Sequence, residues 1–301
     1  MTFATFLAAT LEKPVSAAVP RLVGALGPDL PCGGLLCAEL EAFLGEILTT
    51  AEKADWVCEF GEAALAPEAR PTSTAMMHKK AWVEYHPLGV LGVIAPWNYP
   101  YHNMYNHIIS GLFTGNAVVC KSSEYSAWSS LYYGRIIKAI LASAGHSPDL
   151  VSVVNGFADT GKALVSGGVD KVIFTGSPGI GRHVMRGAAD TLTPVVLELG
   201  GKDPMVITDD ADIGQVAQIA LRGTYQNCGQ NCIGVERMFV YEAVLEDFIA
   251  KVRQGCWKGI NGGKAVTAAP LPFVVCLYCC GHLQVVPLVK NFRQGAPLLE
   301  E

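Results

Sequence analysis

Five short runs rich in valine and isoleucine recur along the chain, and they constrain its fold more than any other feature. They lie at residues 89–95, 116–121, 151–154, 171–174 and 194–199. Near-continuous apolar strands that alternate with helical segments are typical of a parallel sheet with helices on both faces. We therefore expect an α/β protein in which these runs are the strands of one parallel sheet.

Polar residues at the ends of these runs are the first candidates for a functional site. Open parallel sheets bind their ligands in the crevice outside the carboxyl ends of the strands. Asn98, Lys121, Ser177 and Glu198 each lie at or just past the end of a predicted strand. We therefore expect these four side chains at one edge of the sheet.

At 301 residues the chain is long enough for about two domains. Its sequence pattern divides into four regions. Residues 1–66 carry helical patterns with a break at 27–34, and we expect them to pack on the domain that follows. Residues 67–200 are the predicted sheet domain, and residues 201–252 begin a second α/β unit. Residues 253–301 show no clear elements.

Two predicted helices carry apolar residues at three- and four-residue spacing, which indicates one face turned toward the core. The first stripe comprises Leu40, Phe43, Leu44, Ile47, Leu48, Trp56, Val57 and Phe60. The second comprises Trp128, Tyr132, Ile136 and Ile140. The first helix is predicted to be a packing element without chemistry of its own.

Charge and cysteine content exclude several classes of protein. The 22 basic and 27 acidic residues give a net charge of −5 without a basic run, so nothing indicates a nucleic-acid partner. The ten cysteines are scattered, and the apolar start at residues 1–11 has no basic segment before it. We therefore expect no signal peptide and a reducing compartment such as the cytoplasm. No apolar stretch reaches the roughly 18 residues that a membrane span needs.

A thiol and a carboxylate are the candidate catalytic pair. Cys232 ends the polar segment GQNC at 229–232, where backbone donors could activate a thiolate; the alternative is an inert buried thiol. Glu198 follows an apolar strand, where burial would raise its pKa and suit it to general-base work. Its alternative is to cap the next turn or to pair with Lys202. Cys228 and Cys232 lack a second pair of ligands, so no metal is expected.

Other polar positions suit an oxyanion or a dinucleotide. The side-chain amide of Asn98 can donate to a developing oxyanion, or it can belong to an ordinary proline-flanked turn. Lys121 and Glu124 flank a strand end and a helix start, where a ribose or phosphate could bind, although the same residues also fit a plain helix N-terminus. The glycine-rich segment FTGSPGIG at 174–181 departs from GxGxxG, and it fits either a dinucleotide-binding turn or an ordinary one.

Five ordered segments resemble those of the aldehyde dehydrogenase superfamily. They are PWN at 96–98, KSSE at 121–124, FTGS at 174–177, ELGGK at 198–202 and GQNC at 229–232. The resemblance covers roughly residues 50–252. It implies a Rossmann-like cofactor domain, followed by an α/β catalytic domain that is incomplete here, and oxidation of an aldehyde to a carboxylic acid with NAD+.

The resemblance also implies catalytic roles. Cys232 would attack the aldehyde to form a thiohemiacetal, while Asn98 and the backbone N–H of Cys232 would hold the oxyanion. Hydride transfer to the cofactor would leave a thioester, and Glu198 would activate the water that releases the acid.

The cofactor-binding roles follow from the same resemblance. Lys121 and Glu124 would bind the adenosine ribose, and the glutamate would favour NAD over NADP. Ser177 would contact the pyrophosphate, and Trp97 would line the nicotinamide side. The remaining cofactor-binding positions are the loop glycines Gly176 and Gly181.

One segment resembles a particular branch of the family, and other positions depart from the family pattern. The run HKKAWVEYHPLG at 78–89 resembles a branch found in plants and fungi, and Ser122 stands where the family often has proline. Family members continue through a Glu-x-Phe-Gly-Pro segment, which binds the nicotinamide ribose, and through a β-arm that pairs subunits into homo-oligomers. Neither is recognisable after residue 252. We therefore expect a C-terminally truncated or mis-spliced member in which the oligomerisation arm is missing.

Three functional hypotheses remain open at this point. The first is an active NAD-dependent enzyme acting on a small-molecule aldehyde. The second is a catalytically inactive, nucleotide-binding fragment. The third is an unstable fragment that joins full-length subunits, since a catalytic domain cut short leaves an unpaired sheet edge and uncovered apolar faces.

Overall fold

A five-stranded parallel sheet organises the first part of the chain. The computed structural model describes residues 42–260 and 284–288, and the chain divides into two units between Leu199 and Gly200. The strands of the first unit are β1 (Glu68–Arg70), β2 (Ala81–Val83), β3 (Val90–Ile94), β4 (Ala117–Lys121), β5 (Val151–Val154), β6 (Lys171–Gly176) and β7 (Val195–Leu199). The last five form the parallel sheet in the order β5-β4-β3-β6-β7, and β1 pairs with β2 in a separate antiparallel ribbon.

A helix lies in each connection between consecutive strands of the parallel sheet. The helices of this unit are α1 (Thr49–Ala64), α2 (Pro100–Phe113), α3 (Ala127–Ser143), α4 (Ala158–Ser166) and α5 (Pro178–Ala189). A π-helical turn at Phe43–Leu48 leads into α1, and 3₁₀ turns lie at Thr74–Met76, Glu124–Ser126 and Pro148–Leu150. Parallel neighbours require such crossover connections, which α2 to α5 provide.

The core of this unit has two layers, one on each face of the sheet. Val93 and Cys120 pack in one layer with α1, α2 and α3. Ile94 and Val119, their neighbours in β3 and β4, pack in the other layer with α4 and α5. Successive side chains of a strand point to opposite faces, so helices cover both sides of the sheet. The predicted α/β class with a parallel sheet is therefore confirmed.

Helix α2 has no counterpart among the predicted elements. The PWNYP segment indicates an abrupt stop, yet Pro100 occupies the start of this helix, where its missing N–H costs nothing. Met104 and Ile108 recur at helical spacing and are fully buried, and burial of each stabilises the fold by roughly 1.5–3 kcal/mol. The apolar spacing after the proline is thus a signal that the prediction missed.

The two predicted apolar stripes are wrong in part. In α1 the side chains of Trp56 and Phe60 are exposed, although Val57 is buried. In α3 Trp128 is 82% exposed, and Tyr132 is exposed as well. Alanine, glycine, serine and threonine fill many of the buried positions in both helices. Such small residues contribute little to an apolar pattern. The predicted buried face therefore followed the large aromatic residues, which are exposed in the structure.

The second unit contains a three-stranded parallel sheet. Its strands are β8 (Asp203–Ile207), β9 (Val235–Tyr241) and β10 (Gln284–Leu288), in the order β10-β9-β8. Its helices are α6 (Ile213–Tyr225) and α7 (Glu242–Ile260), and a 3₁₀ turn lies at Gln226–Gly229. Residues 253–301, which show no clear elements in the sequence, do contribute to this unit where the structure describes them, since α7 extends past residue 252 and β10 pairs with β9.

Some predictions fall outside the described residues. They are the helical patterns predicted within residues 1–41, with the break at 27–34 and Leu40 of the first stripe, and the parts of the tail at 261–283 and 289–301. Within the described part of the chain, no helix is long and apolar enough to cross a membrane.

A carboxylate from the segment before α1 caps helix α2. Oε2 of Glu46 accepts the backbone N–H of Tyr101 at 2.7 Å and that of His102 at 3.2 Å. The first N–H groups of a helix have no partner within the helix, and negative charge at this end is favourable. Burial raises the pKa of Glu46, and the two backbone hydrogen bonds oppose that shift. Glu46 thereby fixes the start of the helix that follows the PWN segment.

Substitution of Glu46 separates its hydrogen bonds from its charge. Glu46→Ala removes both bonds to α2, and we expect the free energy of unfolding to fall by about 1–2 kcal/mol. Glu46→Gln keeps an acceptor oxygen but does not titrate. Burial raises the folded-state pKa of Glu46 above its ordinary value of 4.5. As pH rises from 4.5 through the folded-state pKa of Glu46, the wild type should therefore lose stability relative to E46Q. Urea unfolding of the full chain between about pH 4 and pH 8 measures both effects.

Glu59→Gln, at an exposed position of α1, controls for the loss of one negative charge. An E46A variant as stable as the wild type would contradict the capping role. An advantage of E46Q that shrinks as pH rises would contradict the pKa shift.

Candidate functional site

The carboxyl edge of the first unit's sheet brings several candidate residues together. From β3 at the centre, the strands continue to β4 and β5 on one side and to β6 and β7 on the other. The switch point therefore lies between β3 and β6, which is where open α/β sheets bind ligands. Trp97 and Asn98 follow β3, and Ser177 follows β6. Trp97 is exposed and Asn98 is half-buried.

Lys121 is a buried cation at the last position of β4. Its side chain is 9% exposed, and Nζ lies 3.5 Å from Oε2 of Glu124, whose side chain is 35% exposed. A buried ammonium is costly unless it is paired, and 3.5 Å is a long contact for such a pair. Lys121 and Glu124 therefore offer a donor and an acceptor at this edge, which suits a polar ligand such as a ribose.

The turn between β4 and α3 is tied to the end of β5. The hydroxyl of Ser122 donates to Oδ1 of Asn155, and Nδ2 of Asn155 donates to the carbonyl of Ala127 at 3.2 Å. The N–H of Ser122 donates to the carbonyl of Val154 at 3.2 Å. No sequence pattern singled out Asn155, although its position directly after a strand is a signal that could have found it.

The turn between β6 and α5 starts a helix whose first turn is open. Ser177 caps α5, since its Oγ accepts the N–H of Ile180 at 3.4 Å. A Cβ on Gly179 would meet no atom within 4 Å, so a ligand could approach this backbone closely. A Cβ on Gly181 would instead lie 3.0 Å from Cδ2 of Leu199. Gly181 therefore serves the close packing of α5 on β7.

Apolar side chains lie beside this open turn. Phe157, directly before α4, is 74% exposed, and Ile180 in the first turn of α5 is 55% exposed. Since α4 and α5 pack in the same core layer, these residues offer an apolar surface at the N-terminal ends of neighbouring helices. Gly176 serves packing, because a Cβ there would lie 2.7 Å from the ring of Phe174. Phe157 was missed by the prediction, although it too follows the end of a strand.

Glu198 lies within β7, where it is in register with Thr175 of β6. The expected burial of Glu198 is wrong, since its side chain is exposed. It shares the face of β7 on which Val196 is also exposed, while the other face of the strand packs toward α5. Lys202, the alternative partner considered for Glu198, forms an ion pair with Glu236 in the second unit.

A cavity of about 340 Å³ lies toward the amino-terminal ends of the strands, away from the carboxyl edge, and Val196 is its lining residue from β7. Its lining includes His107 and Ser110 of α2. Burial lowers the pKa of His107 to about 4, and the neighbouring His102 adds to that shift. His107 is therefore a neutral imidazole near pH 7, with one donor and one acceptor.

In the second unit, Cys232 lies in a tight turn before β9. Asn231 holds this turn, since its Oδ1 accepts the N–H of Ile233 at 3.3 Å and its carbonyl accepts that of Gly234 at 3.1 Å. Cys232 is half-buried. By contrast, Cys120 is fully buried in β4, and burial raises the pKa of its thiol to about 12. Cys232 thus differs from an inert core thiol in both its surroundings and its access.

Comparisons with known proteins show which family the chain resembles. A family model described as the aldehyde dehydrogenase family matches residues 37–268. An aldehyde dehydrogenase-like protein of Schizosaccharomyces pombe is 44% identical over 214 residues, which are 71% of this chain and 41% of that protein. Another from Saccharomyces cerevisiae is 40% identical over 220 residues, which are 70% of this chain and 34% of that protein. The NAD+ complex of an aldehyde dehydrogenase from Bacillus cereus superposes with a TM-score of 0.63 and 31% identity, covering 73% of this chain and 45% of that one.

These matches confirm the resemblance to the family and correct its extent. The family match begins before residue 50 and ends beyond residue 252, so the predicted limits were too narrow. The chain spans less than half the length of each of these relatives.

The contrast between Gly181 and Gly179 allows a test of helix packing at this edge. Gly181→Val places methyl groups at the close approach to Leu199, and we expect the free energy of unfolding to fall by about 1–3 kcal/mol. Gly179→Val is the matched control. Its side chain meets open space, so we expect a change within about 0.5 kcal/mol. Urea unfolding of the full chain measures both, and equal losses would contradict the packing role of Gly181.

Proposed function

The chain belongs to the aldehyde dehydrogenase family, and we propose that it oxidises a small-molecule aldehyde to a carboxylic acid with NAD+ as the hydride acceptor. The observation that carries this proposal is the arrangement at the carboxyl edge of the five-stranded sheet. Asn98, Lys121, Glu124 and the open first turn of α5 lie at the ends of neighbouring strands there. This edge provides donors, an acceptor and a helix N-terminus for one extended ligand.

The residues at this edge fit a dinucleotide. The first turn of α5, which Ser177 caps, offers backbone N–H groups and the positive end of a helix dipole to a pyrophosphate. Lys121 and Glu124 offer a donor and an acceptor to the hydroxyl groups of the adenosine ribose. Phe157 and Ile180 offer exposed apolar surface to the flat adenine ring.

The proposed reaction begins at Cys232. Its thiolate attacks the aldehyde carbon and forms a C–S bond, and the carbonyl oxygen becomes an oxyanion that N–H donors such as the Asn98 amide stabilise. The chemistry that bound NAD+ supplies is acceptance of a hydride, so that the thiohemiacetal carbon is oxidised to a thioester. Glu198 then takes a proton from a water molecule as that water attacks the thioester. The C–S bond breaks, the carboxylic acid leaves, and the thiolate of Cys232 is restored.

The exposure of the proposed groups supports these roles. Glu198 is exposed, and a base for hydrolysis has to reach water. Cys232 is half-buried, so its sulfur is less inert than a core thiol. Trp97 is exposed after β3, where it would line the nicotinamide side of the cofactor. A nucleophilic thiol also has to stay reduced, which fits a reducing compartment such as the cytoplasm.

An assay of the full chain with NAD+ and a panel of aldehydes tests the proposal. We expect NADH to form, and we expect Cys232→Ala to lower turnover by roughly a thousandfold or more. Cys58→Ala, which removes an exposed thiol of α1, is the matched control and should retain turnover. Turnover in the wild type no higher than in C232A would reject aldehyde oxidation.

A second candidate function is nucleotide binding without turnover. It is favoured by the fact that the proposed cofactor contacts all lie within the first unit. Calorimetric titration with NAD+ distinguishes the two candidates. Binding without NADH formation supports the second, and the absence of both binding and turnover rejects both.

Glu124 is proposed to select NAD+ over NADP+, because its negative charge repels a 2′-phosphate. Glu124→Gln keeps the size of the side chain and removes the charge, so the affinity for NADP+ relative to NAD+ should rise by about tenfold. Asp149→Asn removes an exposed charge elsewhere in the same unit and is the control. An unchanged affinity ratio in E124Q would contradict this role of Glu124.

A further inference from the structure

We propose that Ser122 and Asn155 are positioning residues, which hold Glu124 in place and thereby set the preference for NAD+ over NADP+. This inference rests on the proposed function. It concerns the turn at residues 122–126, which joins β4 to α3 and carries Glu124. The hydrogen bonds of this turn to the end of β5 are the observation behind it.

Two hydrogen bonds tie the start of the turn to β5. The N–H of Ser122 donates to the carbonyl of Val154 at 3.2 Å, and its hydroxyl donates to Oδ1 of Asn155. Ser122 is 2% exposed, so water cannot readily replace either partner. Since a buried polar group is costly when it loses its partner, both bonds hold the turn against β5. A proline at this position could make neither bond.

The side chain of Asn155 also forms a hydrogen bond at the other end of the turn. Its Nδ2 donates to the carbonyl of Ala127 at 3.2 Å. A carbonyl can only accept, so the amide nitrogen has to face Ala127, and this turns Oδ1 toward the hydroxyl of Ser122. One side chain, directly after β5, therefore binds both the residue that begins the turn and the first residue of α3.

Glu124 lies between the two clamped ends. It starts the 3₁₀ turn Glu124–Ser126, which Ser123 caps through a hydrogen bond from the N–H of Tyr125 to its Oγ at 3.4 Å. The carboxylate of Glu124 lies 3.5 Å from Nζ of Lys121. With both ends fixed, the backbone that carries this carboxylate is restrained before the ribose arrives, and the Lys121 ammonium is the partner beside it.

Loss of the clamp should affect the two cofactors differently. NAD+ loses an acceptor that is already in position, so its binding weakens. NADP+ binding also loses the benefit of an ordered turn, but the repulsion between the Glu124 carboxylate and the 2′-phosphate decreases at the same time. The ratio of NAD+ to NADP+ affinity should therefore fall.

Calorimetric titration of the full chain with each cofactor tests the inference. We expect Ser122→Ala and Asn155→Ala each to weaken NAD+ binding by about three- to tenfold, and to lower the ratio of NAD+ to NADP+ affinity by at least about threefold. Ser143→Ala is the matched control, because it removes a hydroxyl that donates to the carbonyl of Ile140 at 2.8 Å at the far end of α3. It should leave both affinities unchanged.

A double-variant test separates positioning from a general structural effect. In the Glu124→Gln background, Ser122→Ala should no longer change the affinity ratio, since the charge that it positions is absent. A purely structural role predicts that S122A weakens both cofactors equally in either background, and this result would overturn the inference.

Hydrogen exchange of the unliganded chain separates this inference from the proposed function. The amides of Tyr125 and Ser126 should exchange faster in both variants, while those of β3 remain unchanged. If the wild type binds NAD+ but neither the exchange nor the affinity ratio responds, the positioning role alone fails. If neither the wild type nor any variant binds either cofactor, the proposed function fails, and the proposed cofactor preference fails with it. Unchanged hydrogen exchange at Tyr125 and Ser126 in both variants would in addition overturn the positioning role of Ser122 and Asn155.

Discussion

The parallel pairing of β3 with β4 on one side and β6 on the other is the constraint on which the first unit depends. Two parallel neighbours cannot be joined by tight hairpins, so each connection has to cross a face of the sheet. Helices on both faces then bury both sides of the central strand. That is why Val93 and Ile94, adjacent in β3, belong to different core layers. The same pairing brings the strand ends of Asn98, Lys121 and Ser177 to one edge.

The strands could be read from the sequence because burial on two faces requires a continuous apolar run. The run at 151–154 coincides with β5, and the runs at 171–174 and 194–199 differ from their strands by no more than two residues at an end. Helices were harder, since one face of a helix can be buried through small residues. In α3 the buried positions include Ser130 and Gly134, whereas Trp128 is exposed. A pattern based on apolar size cannot distinguish these positions.

Positions in the candidate site were predictable, whereas contacts were not. The strand-end rule singles out Lys121 and Ser177 because chain direction alone brings them to the edge. The same rule says nothing about Glu46, which reaches the N–H of Tyr101 from 55 residues away in sequence. The exposure of Glu198 was also unpredictable, because it depends on whether anything covers one face of the strand β7. Such facts follow from tertiary packing, which local patterns do not encode.

Side-chain hydrogen bonds hold three of the strand-to-helix turns at this edge. Glu46 anchors the helix after Asn98, Asn155 clamps the turn that carries Glu124, and Ser177 caps α5. Apolar packing at these places would fill the space that a ligand needs. Hydrogen bonds from neighbouring segments instead leave the edge open while restricting its motion. A site ordered in advance loses less conformational entropy when a ligand binds, so turns held in this way would favour binding of a ligand at this edge.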